Sequence, residues 1–113
     1  MKFQPGVVRE GVCWEIGWAL GMADMLHRKL FQEEVEVTSL RDHHEHKPAS
    51  LHNAGRAADL RTRNLSDLQR KMFFGMLRAA IDPHGFDTVD EGNHLHFEYD
   101  PKPGEAFAGE APS

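Results

Sequence analysis

The chain has 113 residues, 40% of them hydrophobic and 27% charged, which is typical of one ordinary globular domain. Its formal net charge is -5 at pH 7 and it has no run of basic residues, which argues against nucleic acid or an anionic membrane surface as a partner. The single cysteine, Cys13, excludes an internal disulfide and a zinc site built from cysteines.

The N-terminal segment MKFQPGVVREGV has no export-signal pattern, because Pro5, Gly6, Arg9 and Glu10 interrupt every apolar run. No later stretch is apolar for long enough to span a bilayer. We therefore expect synthesis in the cytoplasm without a signal peptide. If the protein acts outside the cytoplasm, something else must carry or release it.

The first half of the chain predicts one long helix and one strand. From Val8 onward, apolar residues recur at three- and four-residue steps, which predicts an amphipathic helix over about residues 7–31. EVEVTS, residues 34–39, alternates charged and branched residues and is typical of a half-buried strand. Residues 40–53 are polar and lack a period, which predicts a loop; its histidines are His43, His44, His46 and His52.

The second half predicts a strand, a helix and a hairpin. RAADLR, residues 56–61, is short enough for a buried strand, and Asn64 or Ser66 can cap the helix that follows. FDTVDEGNHLHFEY predicts two strands joined by a tight turn at residues 91–93. The predicted core face of the second helix is Leu65, Leu68, Met72, Phe73, Met76, Leu77 and Ala80.

These elements predict an α+β domain in which two helices pack on a small, mostly antiparallel sheet. We assign residues 1–99 to that domain. Residues 100–113, DPKPGEAFAGEAPS, are rich in Pro, Gly and Glu and are expected to form a tail, or a segment that a partner orders.

Several residues have the chemistry and spacing of a metal site. Zinc favours imidazole and carboxylate ligands, and a catalytic zinc site uses three protein ligands. His52 and Asp59 supply two candidates on either side of the loop-to-strand junction. His94 and His96 are two residues apart and therefore point to the same face of a strand, so both can reach one site.

Two motifs in the same region resemble a known family. SLHNAGRAADL fits the pattern Ser-x-His-x-x-Gly-x-Ala-x-Asp of the zinc D-alanyl-D-alanine carboxypeptidases and L-alanyl-D-glutamate endopeptidases, which have the hedgehog/DD-peptidase fold. HLHFE resembles the closing His-x-His segment of that family. The resemblance spans residues 18–99, and HKPASLH and EYDPK look most like short phage and prophage members.

The resemblance implies one Zn²⁺ per chain with His52, Asp59 and His96 as ligands, and it places His94 beside the reacting water or the oxyanion. The implied reaction is hydrolysis of an amide bond in a peptidoglycan stem peptide, by either carboxypeptidase or endopeptidase cleavage. Zinc would activate the water and polarise the carbonyl group. Gly55 and Ala57 would be small so that the loop and the strand approach each other closely.

Such a reaction also needs a carboxylate that takes the proton of the water and passes it to the leaving amine. Many family members carry an Asp or Glu three residues before the last histidine, where this chain has Asn93. Glu91 is our candidate for the base, with Asp90 as the alternative. Arg41 resembles the family arginine that contacts a substrate carboxylate or the oxyanion.

Two functions remain open on these residues. The first is a zinc peptidase, plausible for a phage or prophage, whose cell-wall targeting would depend on a partner bound through the tail. The second is a catalytically degenerate zinc-binding module with a structural or protein-binding role, for example in a phage particle. An enzyme needs an open zinc position and a carboxylate near its water, whereas a binding module can lack either.

Overall fold

The computed structural model describes residues 1–40 and 55–102. Within them, two α-helices pack on one face of a five-stranded mixed sheet, which confirms the predicted α+β class. The elements in chain order are β1 (Lys2–Phe3), α1 (Trp14–Phe31), β2 (Glu36–Ser39), β3 (Ala57–Arg61), α2 (Asp67–Ile81), β4 (Phe86–Asp90) and β5 (His94–Tyr99).

The strand order is β1-β2-β3-β5-β4, so β3 and β5 occupy the inner part of the sheet. β1 runs parallel to β2, while the β2–β3, β3–β5 and β4–β5 pairs are antiparallel. The sheet is therefore mostly antiparallel, as predicted. β1 was not predicted, because two residues carry too little pattern to indicate a strand.

Helix α1 begins at Trp14, so the predicted start at residue 7 was wrong. The segment before it turns at Gly6 and Gly11, both of which have positive φ, +89° and +75°. The backbone N–H of Cys13 donates to the carbonyl oxygen of Gly55 at 2.9 Å, which joins this segment to the residues that precede β3. The helical spacing of Val8 and Val12 is therefore fortuitous.

Ser66, one of the two caps that the sequence allowed, is the N-cap of helix α2, where it forms a capping box. The Ser66 hydroxyl accepts from the backbone N–H of Gln69, and the Gln69 side chain accepts from the backbone N–H of Ser66. These bonds satisfy two backbone donors that a helix N-terminus leaves unpaired.

The buried face of α2 differs from the prediction. Its fully buried residues are Phe73, Leu77 and Ile81, which follow one another at four-residue steps. Phe73 and Leu77 were predicted correctly. Leu68, Met72 and Met76 lie on the adjacent stripe, about 100° further around the helix. This stripe is exposed, so the predicted core roles of these three residues were wrong.

The central strands have two faces of opposite character. Ala58 and Leu60 of β3 and Leu95 and Phe97 of β5 are fully buried and join the hydrophobic core beneath the helices. The intervening residues therefore project from the other face of the sheet, because side chains alternate along a strand. That second face carries the polar residues of the candidate site.

Gly55 lies at a close contact between two backbone segments. It has φ +73°, and a Cβ atom at this position would lie 2.1 Å from the carbonyl oxygen of Gly11. Any side chain would therefore force the segments apart. The expected close approach was between the loop and the strand, whereas the close approach that the structure shows at Gly55 is with the segment before α1.

Neither helix in residues 1–40 and 55–102 combines the length and the apolar character needed to cross a membrane. Most of the predicted tail, from residue 103 onward, lies outside the described residues. The division between domain and tail stays a prediction.

Candidate metal-binding site

The polar face of the sheet places the two sequence motifs next to each other. In the antiparallel β3–β5 pair, Asp59 lies opposite His96 and Arg61 lies opposite His94. Directly opposed residues on one sheet face have Cβ atoms about 4.5–5.5 Å apart. Residues that are 37 positions apart in sequence therefore meet in the inner part of the sheet.

Asp59 and His96 are in direct contact. Nδ1 of His96 lies 2.8 Å from Oδ1 of Asp59, and both side chains are largely buried, with 18% and 14% of their surface exposed. This hydrogen bond raises the pKa of His96, although burial acts in the opposite direction; the charges of Asp59, Glu98 and Glu91 add to the increase. The pair thus places an imidazole nitrogen and a carboxylate oxygen at one point.

A second set of potential ligands shares the same carboxylate. One ligand atom each from Asp59, Glu91 and His94 can be chosen so that all lie within 4.8 Å of one another. Within this set, Nε2 of His94 lies 3.6 Å from Oε2 of Glu91. The described residues therefore include a group that could hold a metal ion, and their donor atoms are of the kinds that divalent transition metals bind in proteins.

The hairpin between β4 and β5 brings Glu91 to this group. The backbone N–H of Glu91 donates to the carbonyl oxygen of His94 at 3.0 Å, and Gly92 has φ +89°, which favours glycine in the tight turn. The predicted turn at residues 91–93 is confirmed. It holds Glu91 and His94 side by side, with the Glu91 carboxylate 44% exposed.

Asp90, the alternative to Glu91, points elsewhere. Its Oδ2 accepts from Nε of Arg70 on α2 at 3.1 Å, and its Oδ1 accepts from the backbone N–H of Gly92 at 2.9 Å. Burial acts to raise the pKa of Asp90, but these hydrogen bonds outweigh it and hold that pKa below its usual value. Asp90 is therefore held on the helix side of the sheet, away from the His94 face.

Asn93 is engaged with its neighbour. Its Oδ1 lies 2.6 Å from Nδ1 of His94, which is the shorter of the two polar contacts of that ring. The amide oxygen can thus accept a hydrogen bond from Nδ1, which leaves Nε2 of His94 on the side of Glu91. The amide cannot take up a proton from water, so Asn93 acts on the orientation of His94.

The structure brings together Asp59, Glu91, His94 and His96, four of the six residues selected from the sequence. The other two, His52 and Arg41, lie outside the described residues. Sequence reasoning placed Glu91 and His94 beside the metal, and it missed that both share a ligand group with Asp59. Glu91 and His94 are three residues apart, with Gly92 in the turn between them. This spacing is the sequence signal that could have indicated that their side chains meet.

A cavity of about 260 Å³ adjoins this site. Asp59 and His94, two of the potential metal ligands, line one edge of this cavity. The remaining wall includes Gln4, Thr38, Arg61 and Arg63. None of these four was selected from the sequence, although Arg61 and Arg63 follow Asp59 at two-residue steps, as residues on one face of an extended segment do.

Chemically, the site combines carboxylate oxygens and imidazole nitrogens in partly buried positions, beside a cavity with space for a ligand. Such a site can hold a divalent cation and transfer a proton through an exposed carboxylate. Compared with models of protein families and with curated proteins, the chain matches none.

Proposed function

We propose that the protein is a zinc-dependent peptidase of the hedgehog/DD-peptidase fold that hydrolyses amide bonds in peptidoglycan stem peptides. The observation that carries the proposal is the 2.8 Å contact between Asp59 and His96, with Glu91 and His94 beside the same carboxylate. Each residue of this group comes from one of the two motifs by which the sequence resembles the zinc peptidases, or from the hairpin that joins β4 to the second motif.

The donor set supports zinc as the metal. His96 and Asp59 offer one imidazole nitrogen and one carboxylate oxygen, and the resemblance supplies His52 as the third ligand. Zinc in catalytic sites takes three such ligands and keeps a fourth position open. Bound there, zinc would activate a water molecule and polarise the carbonyl group of the substrate.

The side chains around the ligands have distinct parts in this proposal. Glu91 is partly exposed and reaches the group from the hairpin, so it takes a proton from water and returns it to the leaving amine. His94, whose Nδ1 contacts Asn93, directs Nε2 toward the reaction and stabilises the oxyanion. Arg41 would contact a substrate carboxylate or the oxyanion, as the resemblance implies.

The substrate class follows from the same resemblance, which favours either removal of a terminal D-alanine or cleavage between L-alanine and D-glutamate. A phage or prophage origin would explain a small peptidase that reaches the cell wall after release or within a particle. The segment after residue 100 is our candidate for contact with a targeting or structural partner.

The test is metal analysis followed by product analysis on one sample. The protein is stripped with a chelator, reloaded with zinc and assayed for zinc per chain by elemental mass spectrometry. It is then incubated with purified muropeptides, whose masses reveal either loss of one alanine or separation of the stem after L-alanine. One zinc per chain with one of these cleavages supports the proposal, whereas protein that binds no zinc refutes it.

A second function is favoured by Asn93, because an amide stands where the family carries a carboxylate. Under this alternative the chain binds zinc and serves as a structural or protein-binding module without turnover. One zinc per chain with every stem peptide left intact would support this alternative. The Glu91 carboxylate separates the two functions, since only the peptidase requires it.

A further inference from the structure

The cavity beside the candidate metal site is positively charged on one wall. Arg61 projects from the same sheet face as Asp59, two positions further along β3, and lies opposite His94. Arg63 lies in the turn two residues beyond the end of β3 and is exposed. Both arginines border the cavity together with Asp59 and His94. In a chain of net charge -5, two guanidinium groups at one cavity form a local positive site.

One donor of Arg61 has no hydrogen-bond partner among the described residues. Its Nε is buried and makes no hydrogen bond in the part of the chain that the structure describes, while its Nη1 lies 3.5 Å from Oε1 of Glu36. A buried donor without an acceptor costs free energy, which an incoming acceptor recovers. Arg61 therefore lines a cavity large enough for a small ligand with a guanidinium group that the described residues satisfy only in part.

The charges near these arginines are only partly balanced. Glu36, the carboxylate beside Arg61, is shared with Nζ of Lys2 at 3.5 Å. Among residues 1–40 and 55–102, no carboxylate forms an ion pair with Arg63. Asp59, the acidic residue of the cavity edge, is a proposed metal ligand, so its charge would be offset by the cation. The cavity wall formed by Arg61 and Arg63 therefore favours an anionic ligand.

We infer that Arg61 and Arg63 form a subsite for the carboxylate that lies on the same carbon atom as the leaving nitrogen of the scissile amide. The inference rests on the proposed function and deepens it. A terminal D-alanine and a D-glutamate joined through its side chain both carry a free carboxylate on that carbon. One subsite therefore serves both candidate bonds, and it selects against substrates in which this carboxylate is amidated.

The catalytic test compares two matched substrate pairs in the zinc-loaded protein. One pair contains L-alanyl-D-glutamate and L-alanyl-D-isoglutamine stems, and the other ends in free or amidated D-alanyl-D-alanine; the pair that is cleaved identifies the bond. We expect kcat/KM to favour the free acid by roughly 10- to 100-fold, the value of a charged hydrogen bond. Arg61→Met should abolish that preference by slowing cleavage of the acid alone.

Arg78→Met is the control, because Arg78 lies on α2, is 63% exposed and contacts Asp82. It should retain the full preference for the acid. If Arg61→Met lowers cleavage of acid and amide equally, or if the wild-type protein cuts both equally, the subsite is refuted. Arg61→Lys and Arg63→Met provide independent variants should Arg61→Met fail to fold, as judged by circular dichroism.

A binding test keeps this inference separate from the peptidase proposal. N-acetyl-D-alanine and N-acetyl-D-alaninamide are titrated into ¹⁵N-labelled protein, and the Nε–Hε resonance of Arg61 is followed by NMR. A shift of that resonance with the acid, and none with the amide, supports the subsite even if no stem peptide is cleaved. Equal responses to the two probes, or no response to either, overturn it even in an active peptidase.

Discussion

Asp59 and His96 face each other on two neighbouring inner strands of the sheet, with Oδ1 of one 2.8 Å from Nδ1 of the other. Both side chains are largely buried, so neither would have to leave solvent on binding a metal ion. The backbone hydrogen bonds between β3 and β5 maintain this separation. Strand pairing alone therefore brings an imidazole nitrogen and a carboxylate oxygen, both potential metal ligands, to one point.

Removal of the shared carboxylate should remove the metal. Asp59→Ala is expected to lower bound zinc from about one per chain to a small fraction, because it deletes a ligand common to both possible sets. His52→Ala should have the same effect. Asp87→Asn, at a half-exposed carboxylate on β4, is the control and should retain zinc. Equal zinc content in all three variants, by elemental mass spectrometry, would contradict the site.

With His52, Asp59 and His96 as the zinc ligands, Glu91→Gln should retain zinc and lose turnover. Its carboxylate is our candidate for proton transfer, a role that contributes on the order of 10²- to 10⁴-fold to rate. Asp90→Asn should leave kcat nearly unchanged, because Asp90 is held by Arg70 on the helix side of the sheet. Measurement of kcat and zinc content in both variants decides the assignment; full activity in Glu91→Gln would eliminate Glu91 as the base.

Gly55→Ala should destabilise the fold. The new Cβ would lie 2.1 Å from the carbonyl oxygen of Gly11, at a residue with φ +73°. We expect a loss of at least about 2 kcal/mol in the free energy of unfolding. Gly75→Ala is the matched control on α2, where no atom lies within 4 Å of the added Cβ, and it should stabilise by about 0.5–1 kcal/mol. Urea denaturation measures both.

The two stripes of α2 should respond differently to truncation. Phe73 is fully buried, so Phe73→Ala should cost about 3–5 kcal/mol. Leu68 is 77% exposed, so Leu68→Ala should change stability by no more than about 0.5 kcal/mol. The midpoints of urea unfolding compare them directly, and similar losses in both variants would show that the exposed stripe contributes to a packed interface.

The ionised carboxylate of Asp24 should stabilise the folded protein at neutral pH. Burial acts to raise the pKa of Asp24, but the backbone N–H of Val35 and the guanidinium of Arg28 donate to its carboxylate and hold that pKa below its usual value. A folded pKa below the unfolded value gives stability that is complete above the unfolded pKa of about 3.9 and is lost as pH falls through the folded pKa.

Asp24→Asn should therefore be less stable than wild type at pH 7, and the difference should shrink as the pH falls from about 5 to about 2. Asp82 provides the opposite case, because burial raises its pKa and protonation relieves the cost of its charge. Wild type should gain stability relative to Asp82→Asn over the same fall in pH. Urea unfolding at several pH values measures both differences, and parallel curves for Asp24→Asn and wild type would refute the first.

Features encoded by a few adjacent residues were predicted well. The capping box depends on Ser66 and Gln69, and the hairpin depends on the turn at Gly92, so both are visible in short stretches of sequence. The start of α1 was wrong because it depends on the contact between Gly11 and Gly55, which are distant in sequence. Local periodicity carries no information about such a contact.

Which face of α2 is buried was also beyond local reasoning. Leu68, Met72 and Met76 have the spacing of a core stripe, yet docking of the helix on α1 and β4 selects the adjacent stripe. In the site, the motifs indicated Asp59 and His96. That Asp90 is held by Arg70 while Glu91 lies beside His94 depends on the strand register and on the position of Arg70, which the sequence alone does not supply.

The strand order has a consequence for the lifetime of the site. β3 and β5 each have a hydrogen-bonded neighbour on both sides, whereas β4 is an edge strand. Backbone amides in the inner strands of a sheet exchange with solvent mainly through global unfolding, while edges and turns open locally. The arrangement of Asp59 and His96 should therefore persist for as long as the molecule stays folded, whereas Glu91 in the turn can reorient many times within that period.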